Sequence, residues 1–338
     1  MRSSVDAAHN HGILSEVALR QAPGRRLLAT VFLAFVVNLA AASAETLKIG
    51  KPAPIDFNFA IPEIGTGAGI FAKHGLTLEV VFLGGSARLH QAMIANSIDI
   101  AMGAGTDFAF IAKGAPEKGI AAMCGPPSNF FIAVPNASPI KTVADLKGMR
   151  VSVSSVGSLS QWFVEQISRR QGWGDNGIVY VATGGSDATM AAFRSGNIDA
   201  AFTALEGGLQ MEDAGFGHMI FSFADFVHPF LAHAIFATDD LIEKNPDAIR
   251  RFLAGWFETI AWAKSHKGLA IQYAQPVTHA TPAQAAKIYD VEMPAFSDDG
   301  RFDPAAVKVV LDSLNDMKQI DHIPDAKTLY TEQYLPPK

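Results

Sequence analysis

Four serines and a glycine crowd one short stretch, Ser154-Ser155-Val156-Gly157-Ser158-Leu159-Ser160. A strand pattern, Arg150 to Val153, precedes it, and a helical pattern to about Arg170 follows. At such a strand-to-helix turn, free backbone N–H groups and the helix dipole favour an anionic group. Ser155 and Ser158 can add hydroxyl donors. Ser158 or Ser160 taken singly reads as a helix cap; the cluster at this position reads as a ligand contact. Thr106, at the corresponding place in the first half of the chain, is either a donor to a ligand or a cap for the segment 108–112. Glu206 is either an acceptor for a ligand amine or ring N–H, or a solvated carboxylate.

Other residue types carry less. Phe57, Phe59, Trp162 and Phe202 are aromatic walls or core, with core favoured for Phe202. Asn129 and His233 each adjoin an apolar run and can donate into a cleft. His228 and His233 are five apart with no acidic third ligand nearby, a poor metal pattern. Arg88 reads as a solvated helix residue. Gly84-Gly85-Ser86 and Gly184-Gly185-Ser186 follow strands, but no G-x-G-x-x-G or Walker lysine accompanies them, so Ser86 and Ser186 read as caps. The pairs Asp239-Asp240 and Asp298-Asp299 read as a helix start and a polar turn. No G-x-S-x-G or H-E-x-x-H occurs. Cys124 is the sole cysteine, which excludes an intrachain disulfide and any multi-cysteine zinc or iron–sulfur site. No catalytic residue, metal or cofactor is expected.

The elements that position these residues come from an internal repeat. Val81 to Ala104 matches Val181 to Ala204 at an offset of 100 without a gap. The identities include Gly-Gly-Ser at 84 and 184, Ile-Asp at 98 and 198, and alanines at 92, 101 and 104 with their counterparts. Each unit reads strand, helix, strand, helix, strand: 46–49, 60–73, 77–82, 86–96 and 98–102, then 150–153, 160–170, 178–182, 187–195 and 198–202. Apolar strands alternating with helical patterns imply βαβ units and parallel sheets covered on both faces. Two further apolar runs, 129–134 and 232–237, are expected as crossover strands joining two lobes. Asn245-Pro246, Thr281-Pro282 and Asp303-Pro304 open three later helices, with the capping residue followed by Pro at N1. The expected lobes are 45–130 plus 238–338, and 131–237. In open α/β sheets ligands sit beyond the carboxyl ends of strands. The walls of a cleft are then 50–57, 103–107, 154–160 and 203–207, with Asn129 and His233 at its back.

The chain has 338 residues, 49% of them hydrophobic and 18% charged, and a net charge of −6. That suits two lobes with a substantial core and argues against a nucleic-acid binder, which needs a basic face. Arg25-Arg26, the apolar run Leu27 to Val37 and the box Ala42-Ser43-Ala44 have the parts of a secretory signal. Residues 1–44 are therefore expected to be cleaved. Their polar first 24 residues are long for such a signal, and a start further downstream is expected. No cysteine follows the apolar run, so no lipoprotein is expected. Without residues 1–44, which hold four Lys/Arg and two Asp/Glu, the net charge is −8.

Five stretches, in order and spacing, resemble a known family: Ala68-Gly69-Ile70-Phe71-Ala72-Lys73-His74-Gly75-Leu76-Thr77-Leu78-Glu79, Ala92 to Ala101, Val143 to Val151, Asn197-Ile198-Asp199-Ala200-Ala201 and Asn245 to Ile249. They are similar to the type II periplasmic substrate-binding proteins of ABC importers, in the nitrate/sulfonate/taurine group that also holds binders of the thiamine pyrimidine precursor. The resemblance implies an α/β fold of two lobes, each a mostly parallel sheet flanked by helices, joined by two crossover strands. It implies a periplasmic monomer that closes by a hinge on a small solute and delivers it to a permease and ATPase. The solute is of sulfonate, carboxylate, nitrate or pyrimidine type, and the serine cluster favours an acidic group on it. Ala204-Leu205-Glu206-Gly207 departs from the family by lacking a proline after the glutamate, so no ligand role transfers to Glu206. Two alternatives are an enzyme of the same fold and a module that presents its ligand to a sensory receptor. The pyrimidine synthases that resemble this group use a cysteine-rich segment and iron, which a chain with Cys124 alone does not match. The residues expected to touch the solute are Ser155, Ser158, Thr106, Asn129, Phe57, Glu206 and His233.

Overall fold

The computed structural model describes residues 44–184 and 186–337. The expected export signal, apart from Ala44, lies outside the described residues, as does Gly185. Strand β1 (Glu45–Lys51) leads to a short 3-10 turn, Phe57–Phe59, which Asp56 caps by accepting from the Asn58 N–H at 2.8 Å. Two helices, α1 (Ile61–Gly67) and α2 (Ile70–Lys73), replace the single one expected over 60–73. Gly69 between them adopts φ 71°, a left-handed conformation that ends a helix. The unit continues through β2 (Leu76–Phe82), α3 (Ser86–Ile94), β3 (Ile100–Ala104) and α4 (Phe108–Ala112). Strand β4 (Glu117–Cys124) follows; the repeat gave no sign of it.

The second lobe opens with β5 (Phe130–Pro135) and proceeds through β6 (Arg150–Val153), α5 (Leu159–Arg170), β7 (Val179–Ala182), α6 (Ser186–Arg194), β8 (Ala200–Ala204), α7 (Leu205–Asp213) and β9 (Gly217–Ser222). The chain returns through β10 (His233–Thr238) to α8 (Asp239–Lys244), α9 (Pro246–Ser265), α10 (Lys267–Thr278), α11 (Pro282–Glu292) and α12 (Pro304–Asp316). Asn245, Thr281 and Asp303 cap α9, α11 and α12, each with Pro at the helix start.

The two sheets have the same layout, β2-β1-β3-β10-β4 and β7-β6-β8-β5-β9. In each, β10 or β5 runs antiparallel to both neighbours, so four of the five strands share one direction. The reversed strand is the one that has just crossed from the other lobe. The repeated Ile-Asp pairs have a physical role here. Ile98 and Ile198 are buried, and the carboxylates beside them accept the N–H of Lys48 at 2.7 Å and of Arg150 at 2.9 Å. Each pair thereby pins the start of the third strand to the first, and the third strands begin at 100 and 200.

The crossovers run between β4 and β5 and between β9 and β10, and they touch. A Cβ at position 125 would lie 2.1 Å from the Phe230 carbonyl oxygen, so only glycine allows the approach. Away from the crossovers the lobes meet on two sides. On one, Asp316 at the end of α12 accepts from Arg169 at 2.8 Å and from the Trp162 indole at 3.3 Å. On the other, Gln284 of α11 donates to Asp213 of α7 at 2.6 Å, and Lys287 lies 3.8 Å from Glu212. These contacts bridge the two sheets' flanking helices on either side of the crossovers. No described helix is long and apolar enough to cross a membrane.

Candidate functional site

The carboxyl ends of β1, β3 and β8 bring their loops to the space between the lobes. β10 enters beside them, with His233 opposite Ala104 of β3 and Cys124 of β4. His233 Nδ1 lies 3.1 Å from the Cys124 sulfur, and the thiol donates to Asn58 Oδ1 at 3.6 Å. Burial pushes His233 down to about 4, so the imidazole is neutral. Burial, then the charges of Asp56 and Glu292, push the Cys124 thiol well up. The two side chains thus form a buried contact between a neutral imidazole and a protonated thiol.

Three carboxylates converge beside that pair. Asp56, Glu206 and Glu292 each offer an oxygen, and these oxygens lie within 4.8 Å of one another. They come from the β1–α1 loop, the first turn of α7 and the last residue of α11. Lobe two thus supplies one and the lobe-one elements two. Burial pushes Asp56 up to about 6, against the N–H groups of Asn58 and the charge of Lys51. Burial and the charge of Asp56 push Glu206 up to about 8, opposed by its own backbone N–H and that of Phe57. Glu292 is driven well above its usual range by burial and by both neighbours. The group wants protons or a positive charge.

A second polar surface lies wholly in lobe two. A cavity of about 340 Å³ is lined by Ser152, Ser154, Ser160, Thr189, Thr203 and Gly207, among others. It sits at the ends of β6, β7 and β8, where α5, α6 and α7 begin. Asp187 stands on its wall, and Phe130 and Phe202 give it an apolar side.

The expected site residues fall in several places. Ser158 caps α5 and donates to the Ser155 carbonyl at 2.7 Å, while Ser155 is exposed. Their neighbours Ser154 and Ser160 line the cavity. Thr106 lies in the turn after β3, and α4 starts without a side-chain cap. Asn129 is buried, and its carbonyl accepts the Leu205 N–H at 2.9 Å, tying β5 to the start of α7. Phe57 is core, edge-on to Tyr289 and Phe296. Glu206 and His233 border the cleft as described. Sequence reasoning passed over Asp56, although it lies in a segment expected to wall the cleft. Glu292 carries no local signal, since only the fold of α11 brings it there.

A family model described as "NMT1/THI5 like" matches residues 57–276, about two thirds of the chain. A search of curated proteins gives no match. Among solved structures, the periplasmic aliphatic sulphonate binding protein SsuA from Escherichia coli is similar at 20% identity and a TM-score of 0.72, over 85% of this chain and 92% of that one. The alkanesulfonate-binding protein SsuA from Xanthomonas axonopodis pv. citri, bound to MOPS, is similar at 15% identity and a TM-score of 0.67, over 85% and 98%. The desulfurization enzyme DSZB is similar at 15% and 0.62, over 86% and 97%. At these identities the structures speak to the fold.

Proposed function

The chain belongs to the NMT1/THI5-like family, and from that premise we propose that it is the solute-binding component of an ABC importer. It is exported to the periplasm as a monomer, takes a small organic solute between its lobes and presents the closed form to a permease and ATPase. The observation that carries this reading is the meeting of polar side chains from both lobes in the cleft. Contacts made only in the closed form are what a ligand must strengthen to hold it closed. The crossovers are the natural hinge.

The solute's acidic group, of sulfonate or carboxylate type, is assigned to the lobe-two cavity. Its volume suits a small ligand. Three helix starts give it partial positive charge, and the hydroxyls of Ser154 and Ser160 line it. The solved relatives named as sulfonate binders support that choice. An enzyme shares this fold, but Cys124 here is buried with its thiol held protonated, so binding is favoured over turnover.

A thermal-shift screen of sulfonates, carboxylates, nitrate and pyrimidines tests the reading, since a ligand of the native state raises stability by mass action. One class is expected to raise the melting temperature saturably, with compaction in X-ray scattering and no product formed. Turnover of the stabilising compound, or no compound that stabilises, would sink it.

A further inference from the structure

We propose that Asp56, Glu206 and Glu292 form a divalent-cation site of the Ca2+ or Mg2+ type that ties lobe two to lobe one. The site is independent of which solute the cleft takes. Three atoms within 4.8 Å of one another always leave a point within about 2.8 Å of all three, a few tenths of an ångström beyond a Ca2+–oxygen bond. Small side-chain adjustments close that gap. Among the described residues this is the one group of three such side chains so placed.

Two further observations point to a ligand. Glu292 is 0% exposed, and neither of its carboxylate oxygens has a hydrogen-bond partner; Glu206 Oε1 is also unpartnered. Native proteins rarely leave buried acceptors unmet. Separately, the Thr278 hydroxyl is unpartnered in a residue only 5% exposed. Thr278 and Glu206 together line a cavity of about 60 Å³. That is room for more than one water beside Glu206.

Chemistry selects the ion. The three donors are all carboxylate oxygens, the set preferred by hard cations. The adjacent soft donors, Cys124 and His233, are engaged with each other. The nearest basic side chain acting on the group, Lys51, is already paired with Glu63 at 2.9 Å. A single ammonium among three carboxylates would leave two negative charges uncompensated in a buried place; a divalent ion leaves one. Because Glu206 reaches the other two only across the cleft, such an ion binds the closed form and favours it.

The test uses the full mature chain, freed of metal with chelator, at pH 7.5 and without solute. Calcium, magnesium and manganese chlorides are titrated by calorimetry and thermal shift, with sodium chloride at matched ionic strength as control. At least one divalent ion is expected to bind and raise the melting temperature saturably. Affinity should fall roughly tenfold or more in Glu292→Gln and in Glu206→Gln, with Asp56→Asn as the substitute if either fails to fold. Scattering should show compaction by the ion in the wild type and none in Glu206→Gln. No binding by any of the three ions overturns the proposal. So does binding that survives in both glutamine variants, or stabilisation by methylammonium or agmatine where the metals have no effect. Solute binding that persists in chelator leaves the transport reading standing when the ion site fails.

Discussion

Replacing Glu206 with glutamine should make the metal-free, solute-free protein more stable at pH 8 than the wild type. Glu206 lies half-buried between Asp56 and Glu292, and its pKa is pushed from 4.5 up to about 8. A carboxyl whose folded pKa exceeds its unfolded value contributes stability below the unfolded value. That contribution is lost as pH rises through the folded one. The window for Glu206 therefore runs from about pH 4.5 to about pH 8, and that for Asp56 from about 3.8 to about 6. At 1.36 kcal/mol per unit, the Glu206 shift corresponds to at most about 5 kcal/mol between its protonation states. Opening the cleft rehydrates the carboxylate and caps that cost, so about 2 kcal/mol is the expected gain for Glu206→Gln at pH 8. This amounts to several degrees in melting temperature for a chain of this size.

The assay is urea unfolding of both proteins at pH 5 and pH 8 in chelator. At pH 5 the wild-type carboxyl is protonated and resembles the amide, so the two should nearly coincide. At pH 8 they should separate, with the variant higher. Asp56, whose window ends near pH 6, is present in both proteins, so its own titration largely cancels in the comparison. His233 is neutral throughout the window, and the Cys124 thiol stays protonated. A variant equal to or below the wild type at pH 8 would refute the claim that these carboxylates repel one another in the cleft.

Three further outcomes follow from the same geometry. Cys124 should resist a thiol reagent at pH 8 in the native protein and react stoichiometrically in denaturant; fast native reaction would contradict its burial. His90 lies 3.0 Å from Asp107 and 2.7 Å from Glu117, all three buried. Burial alone would lower its pKa, but the two carboxylates raise it to about 9, so its contribution is present below about pH 6.5 and fades as pH climbs through 9. His90→Leu should cost about 3 kcal/mol or more at pH 7 by urea unfolding, because two buried carboxylates lose their counter-charge. Ser158→Ala should cost about 1 kcal/mol through loss of the α5 cap, and a loss in solute affinity without that cost would show the hydroxyl acting on the ligand instead.

The architecture was readable because it is written in local patterns. Apolar strands and the Asn-Pro, Thr-Pro and Asp-Pro starts are short-range signals that folding respects. β4 and β9, which match each other at the same offset of 100, were missed because they lie beyond the stretch of sequence identity and pair only with strands that return from the other lobe. The polar site was harder to read for the same reason. Asp56 owes its environment to Glu206, 150 residues on, and to Glu292 at the end of α11. No spacing rule connects three residues whose proximity exists only once two lobes and a C-terminal helix have packed. The serine cluster was visible as a cluster. Which serines cap and which face the cavity depends on how α5 starts: the lining serines are Ser154, one residue before Ser155, and Ser160, two residues after Ser158.

The offset of 100 also explains why the cavity belongs to lobe two alone. In lobe one the turn after β3 carries Asp107, whose carboxylate accepts from Ser86 Oγ and from the Ala104 N–H, both at 3.0 Å, while His90 faces it. A side chain of the protein itself has taken the place at the helix starts where an anion would sit. The matching positions in lobe two are Gly207 and Met190. No carboxylate projects from position 207, and the space beside both residues is the 340 Å³ cavity. One scaffold has thus been used twice with opposite electrostatic choices, filled from within on one side and left open on the other. The same offset sets Thr106 against Glu206, so the turn that closes off lobe one is, in lobe two, the turn that reaches across the cleft. On the two proposals made above, the solute's acidic group and the divalent ion would both lie at the start of α7. Movement of that one helix is what would couple occupancy of either to closure.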